Sequence, residues 1–131
     1  MDEVDDVSDE VNALIQKAHK RLEAAKELFR LKYYEDCINR AYYAMVSAAT
    51  AALKLKDVTP RTHKGLHAKF SEIFVKSGEI EAKLRRKFHY AEDLRNKADY
   101  DSFETVSDEQ AEIVLADAEE FIDSIEKLIG S

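Results

Sequence analysis

From Tyr34 to Leu55 the apolar residues Tyr34, Ile38, Ala41, Met45, Ala48, Ala52 and Leu55 fall at alternating steps of four and three. A seam of that period runs along one side of an α-helix and needs a partner helix at nearly parallel or antiparallel inclination. The same stretch holds Ala44, Ala49 and Ala51, small side chains that let neighbouring backbones approach from more than one side. A chain organised around this segment is expected to be a helical bundle with the segment at its centre. Only three Gly and one Pro among 131 residues leave little turn chemistry for a sheet.

The flanking stretches repeat the helical period. Residues 1–7 read as a frayed acidic lead-in, and Ser8 with Asp9 and Glu10 reads as a helix start, acids set against the positive end of the dipole. Val11, Leu14, Ile15, Ala18, Leu22, Ala25 and Phe29 carry that helix to about Arg30. Pro60, which lacks an N–H, is expected to end the central helix within Asp57-Val58-Thr59-Pro60. Thr62 caps a third helix presenting Leu66, Phe70, Ile73 and Phe74 and stopping at Ser77-Gly78. A fourth runs from about Glu79 with Ile80, Leu84, Phe88, Ala91, Leu94 and Ala98 inward. Ser107-Asp108-Glu109-Gln110 has the pattern of a capping box and opens a fifth, which ends at Gly130. The expected fold is all-α, an antiparallel up-and-down bundle of four to five helices forming a single domain over residues 1–131.

Charge and cysteine usage narrow the setting. Cys37 stands alone, so no intrachain disulfide can form, and its place in an apolar stripe reads as a buried small hydrophobe. No apolar run approaches the roughly 20 residues that cross a bilayer, and the N-terminus is acidic where a secretory signal would be basic and then apolar. No membrane partner and a cytoplasmic location are the expectations. The net charge of −7 conceals a split: residues 1–10 carry six acids and no base, and residues 101–131 carry ten acids and one base, whereas residues 11–100 carry nineteen bases and eleven acids. The basic middle could offer a phosphate-rich ligand a positive surface.

The densest polar chemistry lies in Arg95-Asn96-Lys97-Ala98-Asp99-Tyr100. On a continuous helix Arg95 and Asp99 share one face at i and i+4, with Asn96 and Tyr100 in the neighbouring row. Two readings stand side by side. Arg95 and Asp99 could be an exposed ion pair contributing a few tenths of a kcal/mol. Alternatively Arg95, charged at any physiological pH, holds phosphate oxygens while Asn96 orients them. His63 and Lys64 stand beside the first amides of the third helix, which could also take an anion. A proton carrier is harder to find, since Tyr100 has an unperturbed pKa of about 10 and a His is better poised near neutrality. Arg85-Arg86-Lys87 reads either as a solvated face or as a phosphate-contacting strip leading to Arg95. His63 and His67 lie at i, i+4 without the intervening Glu of a recognised motif, so no metal ligand set is expected. No Gly-rich phosphate loop is present, and no cofactor is expected.

Three stretches now combine. Asn39-Arg40-Ala41-Tyr42-Tyr43-Ala44-Met45, Thr62-His63-Lys64-Gly65-Leu66 and Arg95-x-x-Ala98-Asp99-Tyr100 occur in that order. Together they resemble the HEPN domain (higher eukaryotes and prokaryotes nucleotide-binding), in its small stand-alone prokaryotic branch, over roughly residues 11–128. The resemblance implies a homodimer with the motifs of both protomers facing a shared cleft. It implies RNA or a nucleotide as ligand, with Arg95, Asn96, Lys97, His63, Lys64 and Arg40 as binding residues, and a nucleotidyltransferase-type antitoxin as partner. Many members of the family are metal-independent ribonucleases whose motif is an Arg, a polar residue, three further residues and a His. Arg95 and Asn96 match the first two positions, and Tyr100 occupies that of the His. The expected function is therefore a dimeric binding module working with a nucleotidyltransferase. The alternative is an endoribonuclease toxin using Arg95 with Tyr100 or Asp99.

Overall fold

The computed structural model describes residues 3–100 and 106–130, with side chains from Val7 onward. Within them the chain forms α1 (Glu3–Arg30), α2 (Tyr34–Lys54), α3 (His63–Phe70), α4 (Ala82–Tyr100) and α5 (Asp108–Gly130). A single π-helical turn, Ser71–Val75, continues α3. No strand occurs among the described residues, and the fold is the expected all-α bundle. None of these helices is long and apolar enough to cross a membrane.

The central position of α2 follows from its small side chains. Ala41, Ala44, Ala48, Ala49, Ala51 and Ala52 are all fully buried, and α2 packs against α1, α3, α4 and α5. A helix packed against four neighbours cannot carry bulky residues all round, because the 8–10 Å spacing of packed axes is set by the side chains between them. The larger core residues stand where α3, α4 and α5 meet: Phe70, Phe88 and Phe121 form a cluster with ring centroids 4.9–6.0 Å apart. Cys37 is fully buried, and desolvation pushes its thiol up to about 12, so it behaves as a small hydrophobe.

Helix boundaries show where local rules and tertiary packing part. The capping box opens α5 as expected: Ser107 Oγ accepts from the Gln110 amide at 3.1 Å, and Gln110 Oε1 accepts from the Ser107 amide at 2.9 Å. Thr62 Oγ1 accepts from the Gly65 amide at 2.9 Å and caps α3. The start of α1 lies at Glu3, earlier than the Ser8 start expected from the capping signal.

The end of α2 is also displaced from its expected place. Pro60 does not terminate it; the helix stops at Lys54 and the following turn closes through Asp57, in the left-handed region at φ 57°. The Val58 amide reaches back to the Leu53 carbonyl and the Asp57 amide to that of Lys54, both at 3.0 Å, which satisfies the orphan carbonyls of the last turn. Lys32, at φ 67°, closes the end of α1 in the same manner. Only Gly78, at φ 82°, uses glycine for such a turn. Glycine therefore marks one of these three stops.

Candidate functional site

The inward face of α4 carries Leu84, Phe88, Ala91 and Leu94, all buried. Beside it Arg85, His89, Glu92 and Asn96 follow at steps of four, three and four, so the helix presents a polar row along the edge of its core face. Arg95 sits between row and core, and its side chain is only 17% exposed. Its Nη2 donates to the Tyr43 hydroxyl on α2 at 2.8 Å, and its Nη1 donates to Asn96 Oδ1 at 2.9 Å. The guanidinium carbon lies 5.4 Å from the centre of the Tyr43 ring. Arg21 of α1 approaches that ring as well, at 5.9 Å, while its Nη1 donates to Ser47 Oγ at 2.6 Å. Tyr43 thus has two guanidinium groups against one phenol.

Asp99 stands where the i, i+4 spacing placed it, with Oδ2 3.2 Å from Arg95 Nε. The Nε–H is nevertheless buried and not directed into a hydrogen bond, so Asp99 supplies charge rather than geometry. The ion pair is real, but Arg95 is no mere surface partner, because most of its side chain is enclosed and tied to α2. Tyr100 is 78% exposed and makes no hydrogen bond among the described residues, whereas Arg95, Asn96 and Asp99 are brought together.

A second polar knot adjoins the first. Consecutive residues on a helix diverge by about 100°, so Tyr43 reaches Arg95 while Tyr42 turns into the junction of α2, α3 and α4. Tyr42 is fully buried. Its hydroxyl donates to Glu92 Oε2 at 3.1 Å, and it lies 3.0 Å from His67 Nε2 and 3.3 Å from His63 Nδ1. His67 Nε2 is also 3.3 Å from Glu92 Oε2. With the phenol proton committed to Glu92, the proton of neutral His67 is assigned to Nε2, facing the hydroxyl and the carboxylate. The opposite nitrogen, Nδ1, is buried without a partner.

Burial, with the like charge of His89, His63 and Arg85 adding to it, lowers the His67 pKa from 6.5 to about 4. Beneath Tyr42 the His67 ring stacks on Phe88 at 3.9 Å and on His89 at 4.6 Å. The Tyr42 hydroxyl is held in its protonated form by desolvation and by the Glu92 carboxylate.

A cavity of about 310 Å³ opens over this knot, lined by Lys64, His67, Ala68, Arg85, His89 and Glu92. Of the expected binding residues, Lys64 therefore faces the cavity and His63 joins the Tyr42 knot, its ring 5.6 Å from that of Tyr43. Arg40 is exposed on α2, one turn before Tyr43. Lys97 is partly exposed on the last turn of α4.

The basic run of α4 divides. Arg85 reaches the cavity and Arg86 is exposed, whereas Lys87 turns to α5, with Nζ 3.2 Å from Glu120 Oε1 and 3.4 Å from Asp117 Oδ1. The idea of one continuous strip leading to Arg95 does not hold for Lys87. Tyr42, Tyr43, Glu92, His67 and Arg21 were not singled out as site residues from sequence. The available signals were the resembling stretch Asn39–Met45, whose adjacent Tyr42 and Tyr43 put phenols on two faces of the central helix, and the i, i+4 spacing of His63 and His67.

An all-α bundle with an anchored guanidinium and a buried tyrosine–histidine–glutamate knot at one helix junction defines a helical domain with a built polar site. The family model of the HEPN domain matches residues 11–128. A protein of Methanocaldococcus jannaschii named as a candidate toxin is 40% identical, covering 95% of this chain and 92% of its own length. A UPF0332 protein of Archaeoglobus fulgidus is 36% identical over 93% of this chain and 97% of its own. A UPF0332 protein of Thermotoga maritima is 31% identical over 87% and 86%. The chain belongs to the HEPN domain family.

The depressed pKa of His67 gives a stability profile with a definite sign. The folded value lies below the unfolded 6.5, so the unfolded chain binds the extra proton first. Stability from this group is fully present above pH 6.5 and is lost as pH falls from there towards 4, by about 3 kcal/mol in all. A histidine NMR titration is expected to show His67 still neutral at pH 5. A His67 midpoint near 6.5 in the folded protein would contradict the burial argument.

Proposed function

We propose that this HEPN protein is toxin-like and binds RNA or a nucleotide through phosphate contacts at Arg95, acting in the cytoplasm as a homodimer paired with a nucleotidyltransferase-type antitoxin. The observation that carries the reading is the anchored Arg95. Tyr43 and Asn96 fix two arms of the guanidinium, so little side-chain freedom is left to lose when it meets an anion. Arg21 adds a second cation at the same phenol. The name of the Methanocaldococcus jannaschii relative, offered as a toxin, supports the toxin-like part.

Binding to a phosphorylated RNA oligonucleotide is expected to weaken with rising salt, because basic contacts release counterions from the backbone. Arg95→Ala should remove about 1.5–3 kcal/mol of binding, the usual worth of a hydrogen bond to a charged group. Tyr43→Phe, which frees the guanidinium without removing it, should weaken binding by less. Fluorescence anisotropy reads both, with circular dichroism as a check on folding. Equal affinity in all three proteins would sink the phosphate role of Arg95.

The homodimer rests on the large hydrophobic residues left exposed, among them Leu31, Tyr33 and Leu55. Light scattering should return twice the 15.0 kDa of the chain. A monomer mass at micromolar concentration, unchanged across salt, would count against it.

A second reading, a metal-independent endoribonuclease, is favoured by the position of His63. Its imidazole stands beside both Tyr42 and Tyr43, next to the Arg95 anchor, and a neutral imidazole carries one nitrogen that donates and one that accepts a proton. It would supply the proton-transfer group absent from the motif position of Tyr100. On this reading His63→Ala abolishes RNA cleavage and Tyr100→Phe spares it. Loss on Tyr100→Phe alone would return the role to the end of α4, and no cleavage by the unaltered protein leaves the binding module.

A further inference from the structure

His67, His89 and Glu92 lie on two helices that meet at the floor of the 310 Å³ cavity. One ligand atom from each falls within 4.8 Å of the others. His89 and Glu92 are one turn apart on α4, and His67 crosses from α3. Two imidazoles and one carboxylate form the donor set that proteins use for zinc and related first-row ions, with a position left open for water or an anion.

We propose that this cluster is a binding site for a divalent first-row transition ion, such as zinc, in which His67, His89 and Glu92 are the protein ligands. The set is partly built already. His67 is 5% exposed and packed between Phe88 and His89, and it keeps one buried nitrogen without a partner. The Tyr42 hydroxyl contacts both His67 and Glu92, the kind of outer support that fixes the orientation of metal ligands. His89 completes the site by turning about its side-chain torsions out of the ring stack. It is 40% exposed, its Nδ1 is 3.9 Å from Glu92 Oε1, and the cavity beside it gives the ring room.

Lys64 and Arg85 line the same cavity. Both are exposed on long arms, so they withdraw from the ion at modest cost and can hold an anion on its open side. The proposal is independent of the phosphate role of Arg95. Local histidine spacing carries no sign of this set, because its third ligand arrives from another helix.

The test uses the full chain without an affinity tag, stripped of metal and titrated with zinc by calorimetry and with Co2+ by visible absorption. The expected result is one ion per chain, tetrahedral Co2+ bands and a raised Tm. His89→Ala and Glu92→Gln should each weaken the affinity more than about tenfold, while circular dichroism stays that of the unaltered protein. His19→Ala serves as a control, because His19 pairs with Glu126 at 2.7 Å on another face and offers an ordinary surface histidine–carboxylate pair. Absence of saturable one-to-one binding would overturn the proposal. So would binding that survives both α4 substitutions, or binding that disappears with His19→Ala.

Discussion

The hydroxyl of Tyr42 has no access to water. A buried hydroxyl left without partners costs about 1–3 kcal/mol, so whatever surrounds it must offer donors and acceptors. Glu92 of α4 and His67 and His63 of α3 meet that demand. This one group therefore ties three helices together at their junction. Through the next residue, Tyr43, it also sets where the Arg95 guanidinium comes to rest. The polar site depends on the same junction that closes the core, with Phe88 packed directly against the His67 ring.

Charge is redistributed by the fold in a way that the totals along the chain hide. The acidic C-terminal helix lies against α1 and α4 and takes up part of the basic middle: Glu119 faces Lys26, Glu120 faces Lys83 and Lys87, and Asp117 faces Lys87. Each exposed pair contributes little to stability. Their effect on function is larger, because these lysines are no longer part of an open basic surface. Cations remain at the α2–α3–α4 junction and its rim, where Arg21, Arg95, Lys64 and Arg85 gather.

Much of the architecture was legible in the sequence because it depends on local periodicity and capping. The seam of α2, the capping box at Ser107 and the Thr62 cap each act within a few residues, and each appears where its pattern stands. The three resembling stretches pointed to the right family, and Arg95, Asn96 and Asp99 do gather at the end of α4. The stop of α1 at Arg30 falls where its apolar pattern ends, whereas that of α2, at Lys54 and not at Pro60, was not legible. Lys32 and Asp57 adopt left-handed backbone without glycine, a strain of roughly 1–2 kcal/mol that local propensity disfavours and the packed helices on either side enforce.

What the sequence determined by itself is the bundle: apolar residues at helical spacing must face a common core, and too few breakers remain for anything else. What the tertiary structure decided is which polar residues share a place. Tyr42 and Glu92 are 50 positions apart, and Arg95 and Tyr43 are 52 apart. No period or motif spacing links such residues. Their meeting follows from the angle at which α2, α3 and α4 pack, and that angle is set by alanine-sized side chains on one helix and aromatic rings on the others.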